Sequence, residues 1–131
     1  MTKITTACLI DDDSIYVYTT RKLIEKYELC TNVLVFGNGQ EAINYFSTVT
    51  DASLLPQVVF LDINMPVMNG WDFIQQFTQL PWLQKNKLDL YVASSSIDNA
   101  DMNRARSFSI VRDYITKPLS LTQLKELFQI N

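Results

Sequence analysis

QVVFL, residues 57–61, sets four apolar side chains in a row, Val58 to Leu61, with no polar residue between them. A strand with one wet face alternates, so a run apolar at successive positions reads as a strand buried on both faces, as at the centre of a parallel sheet. Four further short runs flank it: ITTACLI (4–10), TNVLVF (31–36), LDLYVA (88–93) and RDYIT (112–116). The stretches between them have helical period. Tyr16, Thr20, Leu23, Ile24 and Tyr27 are spaced as one face of a helix. GQEAINYFSTV brings Ala42, Phe46 and Val49 together, WDFIQQF brings Phe73, Ile74 and Phe77, and SLTQLKELF brings Leu121, Leu124 and Phe128 behind Ser120 as N-cap. The segment from Asp98 to Phe108 is polar, with Met102 and Phe108 as its only large apolar residues, which predicts an exposed, mobile helix. Five strand–helix units predict an α/β fold, a doubly wound parallel sheet of five strands with helices on both faces.

The chain has 131 residues, 47% of them hydrophobic and 19% charged, which predicts one globular domain spanning 1–131. A net charge of −3 and the lack of a Lys/Arg run argue against direct nucleic-acid binding. The opening MTKITTACLI has no secretory pattern, and no apolar run approaches ~18 residues, so no membrane insertion and a cytoplasmic location are expected. Cys8 and Cys30 lack C-x-x-C spacing and there is no histidine to complete a zinc set, so both are expected to be buried thiols.

The chemistry begins at LIDDDS, Leu9–Ser14, where three adjacent carboxylates follow a strand. Like charges so close repel. In doubly wound sheets ligands bind beyond the carboxyl ends of the strands, so the residues just after each strand meet at one crevice. These are Asp11, Asp12 and Asp13 after the first strand, Asp62 and Asn64 after the third, Ser94, Ser95 and Ser96 after the fourth, and Lys117 after the fifth. Carboxylates with one lysine and a hydroxyl describe a site for a hard divalent cation such as Mg²⁺ together with a phosphoryl group. The cation would cancel the repulsion. Asp62 is then a candidate nucleophile toward phosphorus, with Lys117 and a serine hydroxyl binding the equatorial oxygens. No P-loop, G-x-S-x-G or histidine offers a competing centre.

LIDDDS, VVFLDINMPVMNGWDFI (58–74), VASSS (92–96) and DYITKPLS (113–120) resemble, in order, the receiver domain of two-component response regulators, particularly the single-domain chemotaxis-regulator type. The resemblance runs from about Lys3 to Phe128. It implies a flavodoxin-like sheet of order 2-1-3-4-5 and Asp62 as phosphoacceptor from a histidine kinase or phosphotransfer protein. It also implies Mg²⁺ held by Asp12, Asp62 and the Asn64 carbonyl, with Asp11 acting through water. Lys117 and Ser94 would contact the phosphoryl group, Ser94 and Tyr114 would form the switch, and the Lys117–Pro118 bond would be cis. Such a domain is a phosphoacceptor and not an enzyme in its own right, and its output would pass by contact with an unknown downstream protein or by phosphate relay.

Simpler roles stand beside these. Asp13 reads as a helix N-cap, Gly70 as a residue permitting a turn, Ser95 and Ser96 as loop hydroxyls, Tyr114 as a strand-edge aromatic, and Trp71 and Trp82 as packing residues. Two departures from the family pattern are Ser95, where Ala or Gly is common, and SFSIVRDY, which lacks a glycine before the fifth strand. The alternative functions are a small phosphatase of the haloacid-dehalogenase type, using the D-x-D in DDDSI, and a pseudo-receiver docking scaffold. A flavin site would want a Ser/Thr/Gly phosphate cradle where this chain has carboxylates.

Overall fold

The computed structural model describes residues 4–84 and 87–129. Its elements run β1 (Thr6–Ile10), α1 (Ser14–Lys26), β2 (Asn32–Phe36), α2 (Gly39–Thr48), β3 (Val58–Leu61), α3 (Gly70–Phe77), β4 (Asp89–Ser94), α4 (Asn99–Arg106), β5 (Val111–Thr116) and α5 (Leu121–Leu127), with short 3-10 turns at Ala52–Leu54 and Pro81–Gln84. All strand pairs are parallel and the sheet order is β2-β1-β3-β4-β5, a flavodoxin-like α/β arrangement. β3 lies at the centre with every residue buried, as its unbroken apolar run predicts.

Alternation along the strands divides the interior in two. Cys8 and Ile10 of β1, Val59 and Leu61 of β3, and Leu90 and Val92 of β4 face α2 and α3, whose Ala42, Phe46, Phe73, Ile74 and Phe77 close that side. Ala7, Leu9, Val58, Phe60, Tyr91 and Ala93 face the other way, against Tyr16, Val17 and Ile24 of α1 and Leu124 and Phe128 at α5. The register places Ile10 beside Leu61 and Leu61 beside Val92, so these strands end nearly level. Whatever follows them is delivered to one edge.

Side chains fix the helix starts. Asp13 caps α1, accepting from the N–H groups of Ile15 and Tyr16, both at 3.1 Å. Asn38, Asn69 and Asp98 cap α2, α3 and α4 in the same manner. Ser120 and Gln123 form a reciprocal capping box at α5.

Several sequence expectations need correction. Tyr27 is exposed at the end of α1, and Val17 occupies the buried face instead. Cys8 is buried as expected, but Cys30 is only half-buried, its thiol donating to the Asn32 carbonyl at 3.3 Å. α4 is as polar as predicted and buries only Ala105. The missing glycine before β5 has no backbone consequence, since no residue from 107 to 110 has positive φ. Arg112 bulges from the β4–β5 register there, and its guanidinium reaches Asp89 at 3.3 Å. Trp71 packs as expected, stacked on Phe108 with the Arg104 guanidinium 4.7 Å from its ring. The side chain of Trp82 lies outside the described residues. The Lys117–Pro118 bond is cis.

Candidate functional site

Two backbone hydrogen bonds assemble the acidic edge. Asp11 N–H donates to the Phe36 carbonyl at 3.0 Å, and Asp62 N–H to the Ile10 carbonyl at 2.9 Å, so each aspartate is the first residue past its strand and still tied to the neighbouring one. Carboxylate oxygens of Asp11, Asp12 and Asp62 lie within 4.8 Å of one another. Asp11 and Asp62 are buried while Asp12 is exposed. Lys117 enters from the end of β5: its Nζ is 2.9 Å from Asp11 Oδ2 and 3.8 Å from Asp62 Oδ1. Its own N–H donates to the Ser94 carbonyl at 2.8 Å, which ties the ends of β4 and β5 together.

One ammonium facing three carboxylates leaves an excess of negative charge. Burial, with the Asp11 charge next in weight, pushes the Asp62 carboxyl up to about 6, against the pull of Lys117 and of the Ile63 N–H. Burial raises Asp11 as well, opposed by hydrogen bonds from the Asp13 N–H and from Lys117. Among the described residues Asp12 has no hydrogen-bond or ion-pair partner, and its carboxylate stands at the open side of the cluster. All the donors are hard oxygens, a set suited to Mg²⁺ and unsuited to softer metals. Asp13 is spent on the α1 cap.

The β3–α3 loop carries Asn64, whose side chain is exposed, and then turns sharply. Met68 N–H donates to the Pro66 carbonyl at 2.7 Å around Val67, whose φ is 69°, a γ-turn of the strained positive-φ kind. A β-branched residue is poorly suited to that conformation, and Val67 is 83% exposed, so its side chain gains little there. Val67→Gly is expected to raise unfolding free energy by about 1 kcal/mol in urea titration; an unchanged or lowered midpoint would show that the turn tolerates valine without strain. Gly70 was expected to permit a turn, but its φ is not positive. The reason for glycine is proximity: a Cβ there would stand 2.4 Å from the Asp62 carbonyl oxygen.

At the end of β4, Ser94 is 1% exposed, and its Oγ accepts the Ser96 N–H at 3.1 Å. Ser96 is more than a plain loop hydroxyl. Its Oγ donates to Asp101 of α4 at 2.9 Å and accepts the Asp98 N–H at 3.2 Å, and its carbonyl accepts the Tyr114 hydroxyl at 2.8 Å. The Tyr114 ring is buried although β5 is an edge strand of the sheet. Ser95 is exposed and borders a cleft shared with Lys117. Sequence reasoning missed two members of this neighbourhood: Ser96 as a junction, and Tyr16, whose ring centroid lies 4.6 Å from Lys117 Nζ. Tyr16 was legible only as part of a buried helix face.

The family model of the response regulator receiver domain matches residues 7–129. The chain belongs to the response regulator receiver domain family. Among solved structures, this receiver domain is similar to a two-component response regulator from Cytophaga hutchinsonii, with 33% identity and a TM-score of 0.85 over 97% of this chain and 96% of that one. It is also similar to a response regulator receiver protein from Dyadobacter fermentans DSM 18053, with 28% identity and a TM-score of 0.80 over 94% of each chain. A curated relative is the probable C4-dicarboxylate response regulator DctR of Halalkalibacterium halodurans, 27% identical over 128 residues. That match takes in 92% of this receiver domain and 51% of the relative, so the chain spans about half the length of that protein. No helix among the described residues is long and apolar enough to cross a membrane.

Proposed function

We propose that this receiver domain is a phosphorylation switch in which Asp62 accepts a phosphoryl group from a histidine kinase or phosphotransfer protein, with Mg²⁺ as cofactor. The observation that carries the reading is the grouping of a buried Asp62 with Asp11, Asp12 and a lysine ammonium 3.8 Å away. An Asp62 Oδ attacks phosphorus, the O–P bond forms as the donor's N–P bond breaks, and the imidazole departs with the electron pair. Lys117 would meet the charge on the arriving oxygens, and the Ser94 hydroxyl, which accepts the Ser96 N–H at 3.1 Å, would turn from it toward one of them. Asp12, Asp62 and the Asn64 carbonyl would hold the metal, with Asp11 acting through water. Bound Mg²⁺ supplies neutralising charge to the acidic edge and to the transferring oxygens.

Output is assigned to the face of α4, β5 and α5. If Ser94 turns toward a phosphoryl group, Ser96 loses an acceptor for its N–H, and the same residue holds Asp101 of α4 and the Tyr114 hydroxyl. A local change at the pocket thus acts on a helix that buries one residue only. The small-phosphatase reading loses support because the second aspartate of its D-x-D, Asp13, caps α1 and does not face the cluster. The pseudo-receiver reading lacks a missing acid or lysine to motivate it.

The test is incubation with acetyl phosphate. In Mg²⁺ the protein is expected to gain the mass of one phosphoryl group in a hydroxylamine-sensitive bond, and in EDTA none. Beryllium fluoride with Mg²⁺ should shift backbone resonances from the pocket out to α4 and Tyr114. Absence of label in Mg²⁺ rejects the phosphoacceptor, and shifts confined to the pocket reject the output face.

A further inference from the structure

Lys117 is confined by more than its ion pairs. Its side chain is 9% exposed, with Asp11 at 2.9 Å, Asp62 at 3.8 Å and the Tyr16 ring 4.6 Å from the ammonium. Tyr16 lies in the first turn of α1, directly after the loop that carries the aspartates, and packs in the apolar layer that α1 shares with Leu119. The Asp13 cap accepts its backbone N–H at 3.1 Å, so the loop that sets the acidic cluster also sets the ring. Beside the ring and the lysine lies a cleft of about 310 Å³ bordered by Ile15, Tyr16, Ser95, Lys117 and Pro118.

This geometry bears on a problem of aim. The ammonium is closer to Asp11 than to Asp62, yet a phosphoryl group would arrive at Asp62. A lysine stem with four rotatable carbons has many ways to pair with Asp11 or to turn into the cleft. An aromatic face attracts a cation without competing as a hydrogen-bond acceptor, and more strongly where water is excluded. We propose that Tyr16 is a positioning residue whose ring holds the Lys117 ammonium between Asp11 and Asp62. The proposal rests on the phosphoacceptor reading and deepens it. Lys117 can then pass from Asp11 to the arriving oxygens by a short displacement along the ring face. The buried Tyr16 hydroxyl makes no hydrogen bond to Lys117 or to the acidic cluster among the described residues, so the ring and not the oxygen carries the role.

Two substitutions separate the ring from the burial. Tyr16→Phe keeps the aromatic face, while Tyr16→Leu keeps an apolar side chain and loses it. With acetyl phosphate and saturating Mg²⁺, Tyr16→Leu is expected to label about 10-fold more slowly, the effect of losing a desolvated cation–π contact, while Tyr16→Phe labels at the wild-type rate. A measurement on the wild type alone stands beside the variants: the Lys117 ε-methylene protons should be displaced upfield by the ring current. That displacement should persist in Tyr16→Phe and vanish in Tyr16→Leu. Wild-type labelling by Tyr16→Leu, or undisplaced ε protons in the wild type, overturns the proposal while the phosphoacceptor reading stands. A wild type that takes no label overturns both.

Discussion

Asp62→Asn is expected to abolish phosphoryl labelling and, in chelator at neutral pH, to make the folded protein more stable. The first effect follows because a carboxamide oxygen is a far weaker nucleophile toward phosphorus than a carboxylate. The second follows from the acidic edge itself. The Asp62 carboxyl is pushed up to about 6, first by burial and then by the Asp11 charge, from an unfolded value of about 3.9. A raised carboxyl pKa means that the folded chain holds a proton the unfolded chain has released. Its contribution to stability is therefore complete below about pH 4 and is lost as pH rises through about 6. Asparagine keeps the shape, carries no charge and has no such dependence. In EDTA the variant should thus match the wild type in its Asp62 contribution near pH 4 and exceed it by about 3 kcal/mol at pH 7.5. Adding Mg²⁺ should narrow the gap, since ligand at ten times its dissociation constant stabilises by about 1.4 kcal/mol and the variant offers one carboxylate fewer. Urea titrations at both pH values, with and without metal, measure all of this. Equal stability at pH 7.5 in EDTA, with label retained, would remove Asp62 from both the cation site and the chemistry.

How much of this was legible beforehand follows from the kind of signal each feature leaves. The sheet could be read because β3 is apolar at every position and because helical stripes recur between the runs; these are local periods, and a doubly wound topology meets them with few alternatives. The acidic edge could be read because a parallel sheet gathers the residues after its strands, wherever they lie in sequence. The Asp13 and Ser120 caps were legible from residue type and position alone. What stayed hidden depends on pairs distant in sequence. Tyr16 counted as one member of a buried stripe, and nothing in a helical period says that its ring would meet a lysine a hundred positions on. Ser96 gains its role from Tyr114 and Asp101 together. Arg112 bulges only because β5 must meet β4 in a particular register. Cys30 sits in an apolar-flanked stretch, but that stretch precedes β2, an edge strand with only half-buried and exposed positions, so burial there is incomplete.

Gly70 combines the two kinds of signal, and Gly70→Ala is expected to destabilise the fold by about 3 kcal/mol, at the upper end of the usual cost of overpacking. Its φ is one that alanine adopts freely, and at a helix start alanine is favoured over glycine by up to about 1 kcal/mol, so local preference alone predicts a gain. Tertiary contact reverses the sign. The new Cβ would stand 2.4 Å from the Asp62 carbonyl oxygen and 2.9 Å from the Ile63 Cα, and both are backbone atoms with no rotamer to yield. Either α3 withdraws, losing the Gly70 N–H donation to the Ile63 carbonyl at 2.8 Å, or the end of β3 moves and takes Asp62 with it. The melting temperature should fall by roughly 10 °C, and the Mg²⁺-induced rise should shrink because the Asp62 carboxylate no longer faces its partners. Gly37→Ala is the matched control: its Cβ meets only Glu41 Oε2, at an ordinary 3.5 Å, so it should stay within about 0.5 kcal/mol of wild type. If Gly70→Ala melts with the control and keeps the full metal response, the close approach of α3 to β3 does not hold the Asp62 carboxylate in place, and its position rests on contacts such as the strand hydrogen bond to Ile10.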